Sequence, residues 1–234
     1  MMKIASRLVG AGLIAGVLAA CSSDTTDQTS LPRVLATTLL STVQTRRAEP
    51  PQQVVVTPES YAKIVIPLLQ VNPANTGGSD FLQRAASRRD STQGKVEVWK
   101  SSDDAQIFLR NGVVIGTRGI GRDIIAADAN YAVNALRTGA SSSGLRSFIV
   151  SDGDVTTSEM QYRCDIRNLG SKKIVVVNRS FTTNHFRETC VSTVAGGADL
   201  RNEYWVERST GVVRKSNQWV GPVAGYFEMI LLKN

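Results

Sequence analysis

Histidine is nearly absent from this 234-residue chain. His185 is the only one, which excludes sites built on two or more imidazoles. Three cysteines, Cys21, Cys164 and Cys190, exclude a four-thiolate zinc site and a dense disulfide scaffold. Aromatic residues are scarce, at 6%, but a hydrophobic share of 42% is enough for a packed core and excludes wholesale disorder. No run approaches the ~20 apolar residues a helix needs to cross a bilayer, so a polytopic membrane protein is excluded. What is left is a mildly basic globular body, net charge +7, large enough for one big domain or two small ones.

The sharpest local signal is at the start. Lys3 and Arg7 are the only charges in residues 1–20, and the apolar stretch 8–20 follows them. At ~1.5 Å rise per residue that stretch reaches about 20 Å, short of the ~30 Å hydrocarbon core. These are the proportions of a secretory signal peptide. The stretch ends in Leu18-Ala19-Ala20-Cys21, which resembles the lipobox of bacterial lipoproteins. The resemblance implies cleavage after Ala20, with Cys21 lipidated as the new N-terminus. Two or three acyl chains hold a soluble body on a membrane where one chain does so only marginally. Ser22 follows the cysteine, and Asp24 stands two places beyond the aspartate that typically retains lipoproteins at the inner membrane. The expected address is therefore the periplasmic face of the outer membrane.

With Cys21 carrying lipid, Cys164 and Cys190 remain in a compartment that oxidises thiols. A bridge between them closes a loop of about 25 residues, worth about 3–4 kcal/mol in the chain-entropy model. A free buried pair and a redox dithiol are the competing readings, although a redox pair usually takes C-x-x-C spacing.

Residues 22–30 contain no apolar side chain and read as a flexible tether. Leu31, Leu35, Leu39 and Val43 predict an amphipathic helix over 31–46. Extended segments are predicted at 54–56 and 64–71, and a polar helix over 79–89. From Lys95 apolar and polar residues alternate, and Asn111-Gly112 is a strong hairpin signal. Asp123 is read as the cap of a helix with Ile124, Ile125, Tyr131, Ala132, Ala135 and Leu136 on one face and Gly139 closing it. Residues 140–144 read as a loop. Strands are predicted at 148–150, 160–166, 173–178, 181–194, 202–208, 212–216 and 226–232. Turns every 8–15 residues give the cadence of an antiparallel sandwich or barrel. The organisation is thus a signal peptide over 1–20, a lipidated cysteine and tether over 21–30, and one mainly β periplasmic domain over 31–234, with one or two short helices.

Two stretches carry a wider likeness. Trp99 through Gly112 with Thr117-Arg118-Gly119-Ile120-Gly121-Arg122-Asp123 is the first. Asn202-Glu203-Tyr204-Trp205-Val206, Thr210-Gly211 and Ser216-Asn217-Gln218-Trp219 with Pro222 is the second. Together they resemble the YjbF-type, or GfcB-like, lipoproteins. The resemblance implies a periplasm-facing outer-membrane lipoprotein encoded with exopolysaccharide or group 4 capsule genes. It also implies strongly curved antiparallel sheets forming open half-barrels. That family carries no established catalytic residues, so none is transferred.

Motifs for chemistry are weak throughout. Gly116-x-x-Gly119-x-Gly121 runs opposite to a dinucleotide fingerprint and is read as glycines easing a bent strand. Ser141 to Ser143 before Gly144 lacks nucleophile-elbow spacing. His185 could pair with Ser180 or Cys190, but reads better as an ordinary strand residue. Asp103-Asp104 and Asp152/Asp154 fall at turns, where aspartate caps its own backbone. Trp99, Tyr204, Trp205 and Trp219 read as packed indoles and phenol before sugar platforms. Arg110, Arg118 and Arg122 bracket the glycine segment and are expected to gather at one end of a curved sheet. There they would contact acidic polysaccharide, since arginine forks match carboxylate and phosphate. The expectation is a non-enzyme with no cofactor, no metal and no nucleic-acid partner. Its partners would be the membrane through its lipid and a glycan or an outer-membrane protein. A polysaccharide-modifying enzyme and a structural envelope protein are the alternatives.

Overall fold

The computed structural model describes residues 52–153 and 155–234. The signal peptide, Cys21, the tether and the helix expected over 31–46 lie outside the described residues. Within them, the alternation of apolar and polar side chains becomes twelve antiparallel strands in one sheet. The first five are β1 (Leu68–Pro73), β2 (Asp80–Arg89), β3 (Lys95–Lys100), β4 (Gln106–Arg110) and β5 (Val113–Arg118). Then come β6 (Ile124–Asp128), β7 (Ser142–Ser151), β8 (Thr157–Val176) and β9 (Arg179–Ser192). The last are β10 (Leu200–Glu207), β11 (Val213–Gly221) and β12 (Gly225–Lys233). Two short helices accompany them, α1 (Pro58–Ala62) and α2 (Asn130–Thr138).

Every strand pairs with its neighbour in sequence from β1 to β5 and from β6 to β12, and β12 returns to pair with β1. The result is a nearly closed barrel whose single break in the ladder lies between β5 and β6. There β5 is stitched by side chains. Gln218 of β11 accepts from the Val114 N–H at 2.9 Å and donates to the Gly112 carbonyl at 2.7 Å. Arg146 of β7 donates to the Val114 carbonyl at 3.0 Å. Buried backbone groups need partners, and at this edge three of them find theirs in glutamine and arginine.

Because β5 sits within the curl, its two faces serve different cores. Val114 joins the main cluster with Leu69, Trp99, Leu109, Phe148 and Trp219, while Val113 packs with α2 against Ile166, Phe186 and Tyr204. A third cluster lies under the strap formed by residues 52–64, where Ile64 meets Phe81, Val176 and Phe181. The strap is held by Val54, whose N–H donates to Ser79 Oγ at 2.9 Å and whose carbonyl accepts from Gln70 Nε2 at 3.0 Å.

Several local expectations need correction. Residues 80–89 form β2, not a polar helix: Phe81 and Leu82 are buried, and the exposed Ala- and Arg-rich half is committed by its ladder to β3. Asp123 does not cap a helix. Its carboxylate accepts from Thr117 Oγ1 and from the Gly119 and Ile120 N–H groups, so it organises the β5–β6 loop. The helix starts seven residues later, because Ile124–Asp128 pairs with β7, and it does end at Gly139 with φ 79°. Residues 54–56 belong to the strap, and most of 140–144 is the start of β7. The segments predicted at 160–166 and 173–178 form one 20-residue strand, β8, kinked between Asn168 and Ser171. Asn111-Gly112 does make the β4–β5 hairpin, with φ 46° and 83° as a type I′ turn requires.

Candidate functional site

Cys164 and Cys190 are cross-strand partners on β8 and β9, both buried, and the structure joins them as a disulfide. Arg110, Arg118 and Arg122 do not gather. Arg110 pairs with Val113 beside the Asn111-Gly112 turn, whereas Arg118 pairs with Gln106 at the far end of the same hairpin. Arg110 is also spoken for, donating through both terminal nitrogens to Asp90 at 2.8 Å. That guanidinium holds the Asp90 carboxyl at about 2, with the hydrogen bond the largest cause. Arg122, in the left-handed region at φ 40°, pairs with Asp152. Arg118 alone of the three is exposed without an ion pair among the described residues. Asp104 occupies a turn at φ 70°, and Asp154 lies outside the described residues.

The structure brings together a buried cluster that no motif announced. Glu188 of β9 is fully enclosed beside the disulfide. Arg146 Nη1 donates to both of its carboxylate oxygens, at 2.8 and 2.6 Å. Tyr204 Oη donates at 2.8 Å, Asn202 Nδ2 at 2.6 Å, and Tyr131 Oη from α2 completes the shell. Burial pushes the Glu188 carboxyl up, but the Arg146 charge and the donated hydrogen bonds outweigh it and hold the group below its ordinary value. Burial, and then the Glu188 charge, push the Tyr131 and Tyr204 phenols up. Cys164, Glu188 and Cys190 lie close enough to suggest a metal triad. Yet both sulfurs are spent in the disulfide and the carboxylate is saturated with donors, so the cluster is a lock on the core. Arg146 stands in phase with the buried Phe148 and Val150 on β7, and Glu188 with Phe186 and Cys190 on β9.

On the outside of the barrel lies a trough of about 570 Å³. Its floor is a cross-strand row in which Glu203 on β10 pairs with Asn217, Asn217 with Glu228, and Glu228 with Asn72 on β1. Arg187 on β9, paired with Glu203, extends the row beyond the trough. At ~4.8 Å per strand the row so extended spans about 19 Å. Beside it His185 stacks on Trp205 at 4.6 Å between ring centroids and pairs with Glu203 at 3.0 Å, not with Ser180 or Cys190. Lys215 lies 5.6 Å from the Trp205 ring and pairs with Glu228. Trp99, Tyr204 and Trp219 are buried, so Trp205 is the partly exposed member of the four aromatics singled out by sequence. Glu203 accepts from Arg187 at 3.1 Å and Arg201 at 3.2 Å, and Glu228 from Asn72 at 2.9 Å. Burial raises both carboxyls, but for Glu203 the bonds from His185, Arg187 and Arg201 prevail, and for Glu228 those from Lys215 and Asn72. Both are held below the ordinary glutamate value.

Comparison with known proteins decides the family. The model of the family described as "Group 4 capsule polysaccharide lipoprotein gfcB, YjbF" matches residues 34–232. The chain belongs to the YjbF family. The fold is shared with the hypothetical lipoprotein YmcC from Escherichia coli (K12), at 19% identity and a TM-score of 0.66. The match covers 88% of this chain and 96% of that one. No curated protein matches the chain. YjbF membership makes this a capsule-associated lipoprotein, and Trp99, Asn202, Tyr204, Gln218 and Trp219, from the stretches that carry the sequence likeness, all lie buried within its barrel.

Proposed function

We propose that this chain is a non-catalytic accessory factor in exopolysaccharide or capsule export and assembly. It is held by lipid on Cys21 at the periplasmic face of the outer membrane, and it contacts the glycan or a partner outer-membrane protein. Family membership supports the capsule association, and the lipobox supports the anchor. The observation that carries the non-catalytic part is the state of the trough carboxylates. Glycoside hydrolysis by a carboxylate pair needs one acid with a raised pKa, protonated at working pH. Glu203 and Glu228 share the trough, but their cationic and amide partners hold both in the opposite direction. Neither carboxylate is set to donate a proton to a glycosidic oxygen.

The test is complementation of a deletion strain with Glu203→Gln/Glu228→Gln, scored by surface polysaccharide at matched protein level. An accessory factor keeps export near the wild-type level. An acid–base catalyst loses about 10²–10⁴-fold, and that outcome overturns the reading.

A further inference from the structure

The end of the barrel where the β2–β3, β4–β5 and β10–β11 turns meet the last turn of α2 is not filled by the described residues. A cavity of about 460 Å³ opens there, within the ~300–1,000 Å³ typical of ligand sites, which favour the mouths of β-barrels. Its floor is apolar: Leu69, Trp99, Leu109 and Leu231 come from β1, β3, β4 and β12, and all are buried members of the main core. Leu136 of α2 and Val213 of β11 form the side walls.

The rim has the opposite character. Arg89 closes β2, Lys95 opens β3 and Arg137 stands in the last turn of α2. Glu97 is the sole acidic side chain in the lining, and it is committed to Arg84 at 3.0 Å and Lys95 at 2.6 Å. Arg89 and Arg137 have no acidic partner among the described residues; Arg137 donates only to Asn134 Oδ1 at 2.9 Å. An apolar floor beneath two uncommitted guanidinium groups is complementary to one kind of molecule. Hydrocarbon removed from water gains about 25 cal/mol per Å², and an arginine fork takes a phosphate or carboxylate head bidentately.

We propose that the barrel mouth is a binding site for an anionic amphiphile, a single hydrocarbon chain inserted over Trp99 with its phosphate or carboxylate head on Arg89 and Arg137. The site is separate from the trough, and its occupancy stands or falls independently of the glycan reading.

Native mass spectrometry of the full chain, released from a non-ionic detergent, tests this with four probes. Lysophosphatidic acid and dodecanoate carry both chain and anionic head, dodecanol the chain alone, and inorganic phosphate the head alone. One-to-one adducts with the two anionic amphiphiles, and much weaker ones with dodecanol and phosphate, are expected. Arg89→Gln/Arg137→Gln replaces two rim side chains without touching the core and should weaken the amphiphile adducts about tenfold, or 1.4 kcal/mol. Absence of an adduct overturns the proposal. So does equal binding of dodecanol, equal binding of phosphate, or affinity unchanged in the double variant.

Discussion

Removing either partner of the Glu188–Arg146 pair leaves the other charge enclosed among apolar side chains, which costs about 3–5 kcal/mol. Glu188→Ala should therefore lower the unfolding free energy in urea by that amount, and a Glu188→Leu/Arg146→Met double variant should recover much of it. The pair also sets the pH range of the fold. The Glu188 carboxyl lies below its unfolded value of 4.5, so its contribution is present above that value and fades as pH falls through the lower, folded one. The phenols of Tyr131 and Tyr204 lie above their unfolded value of 10.0. They favour the fold below pH 10 and withdraw that support as pH rises further. Thermal midpoints across pH should thus fall at both extremes, with the alkaline loss smaller in Tyr131→Phe/Tyr204→Phe, where only the buried Tyr162 phenol among the raised tyrosines remains. None of this was legible in sequence. Arg146 and Glu188 are 42 residues apart, and only the register of β7, β8 and β9 brings them face to face. The disulfide beside them was legible, because cysteine count and compartment left few alternatives.

At the level of the elements, local chemistry was a good guide wherever a turn or cap is decided by one or two residues. Asn111-Gly112 made its hairpin, and Gly139 ended its helix. Gly112 is doubly constrained: its φ is 83°, and a Cβ there would sit 2.5 Å from Val213 of β11. The second constraint comes from a residue a hundred positions away, so sequence showed only the first. Local preference failed for β2, whose Gln-Arg-Ala-Ala run favours helix in isolation but is overruled by pairing with β3. It failed again at Ile124–Asp128, where helical spacing and strand pairing competed and β7 won. The side-chain stitching of β5 left no sequence signal at all, and it is testable. Gln218→Ala strands the Val114 N–H and the Gly112 carbonyl, each a loss of about 1–3 kcal/mol when buried without a partner. Hydrogen exchange at the Val114 amide should accelerate in that variant, while amides of β9 and β10 keep their protection. Equal acceleration everywhere would mean that Gln218 supports the whole barrel and not this edge.

For the molecule as a whole, the lipobox pointed to the membrane surface and the family likeness to a capsule lipoprotein, and the family match now carries the capsule association. Anchoring is to be checked directly: Cys21→Ala should accumulate as unprocessed precursor that labelled palmitate does not mark. A variant still cut after Ala20 and still recovered with the outer membrane would remove the lipid anchor from the account. The three arginines read as one patch lie at two ends of a hairpin, because a strand separates residues that sequence lists almost side by side.

The pairing of β1 with β12 has a consequence for how the chain is made. Residue 68 finds its partner at residue 233, so the first of the described strands to be synthesised waits for the last of them. Throughout that interval β1 presents a free edge carrying Leu69 and Val71, an invitation to pair with another chain. Contacts so distant in sequence also form slowly. Loss of the nine-residue strand β12 would leave β1 paired only with β2 and β11 only with β10, each with an open edge. A variant lacking β12 should therefore aggregate more than the full chain at matched expression, read by sedimentation of the two.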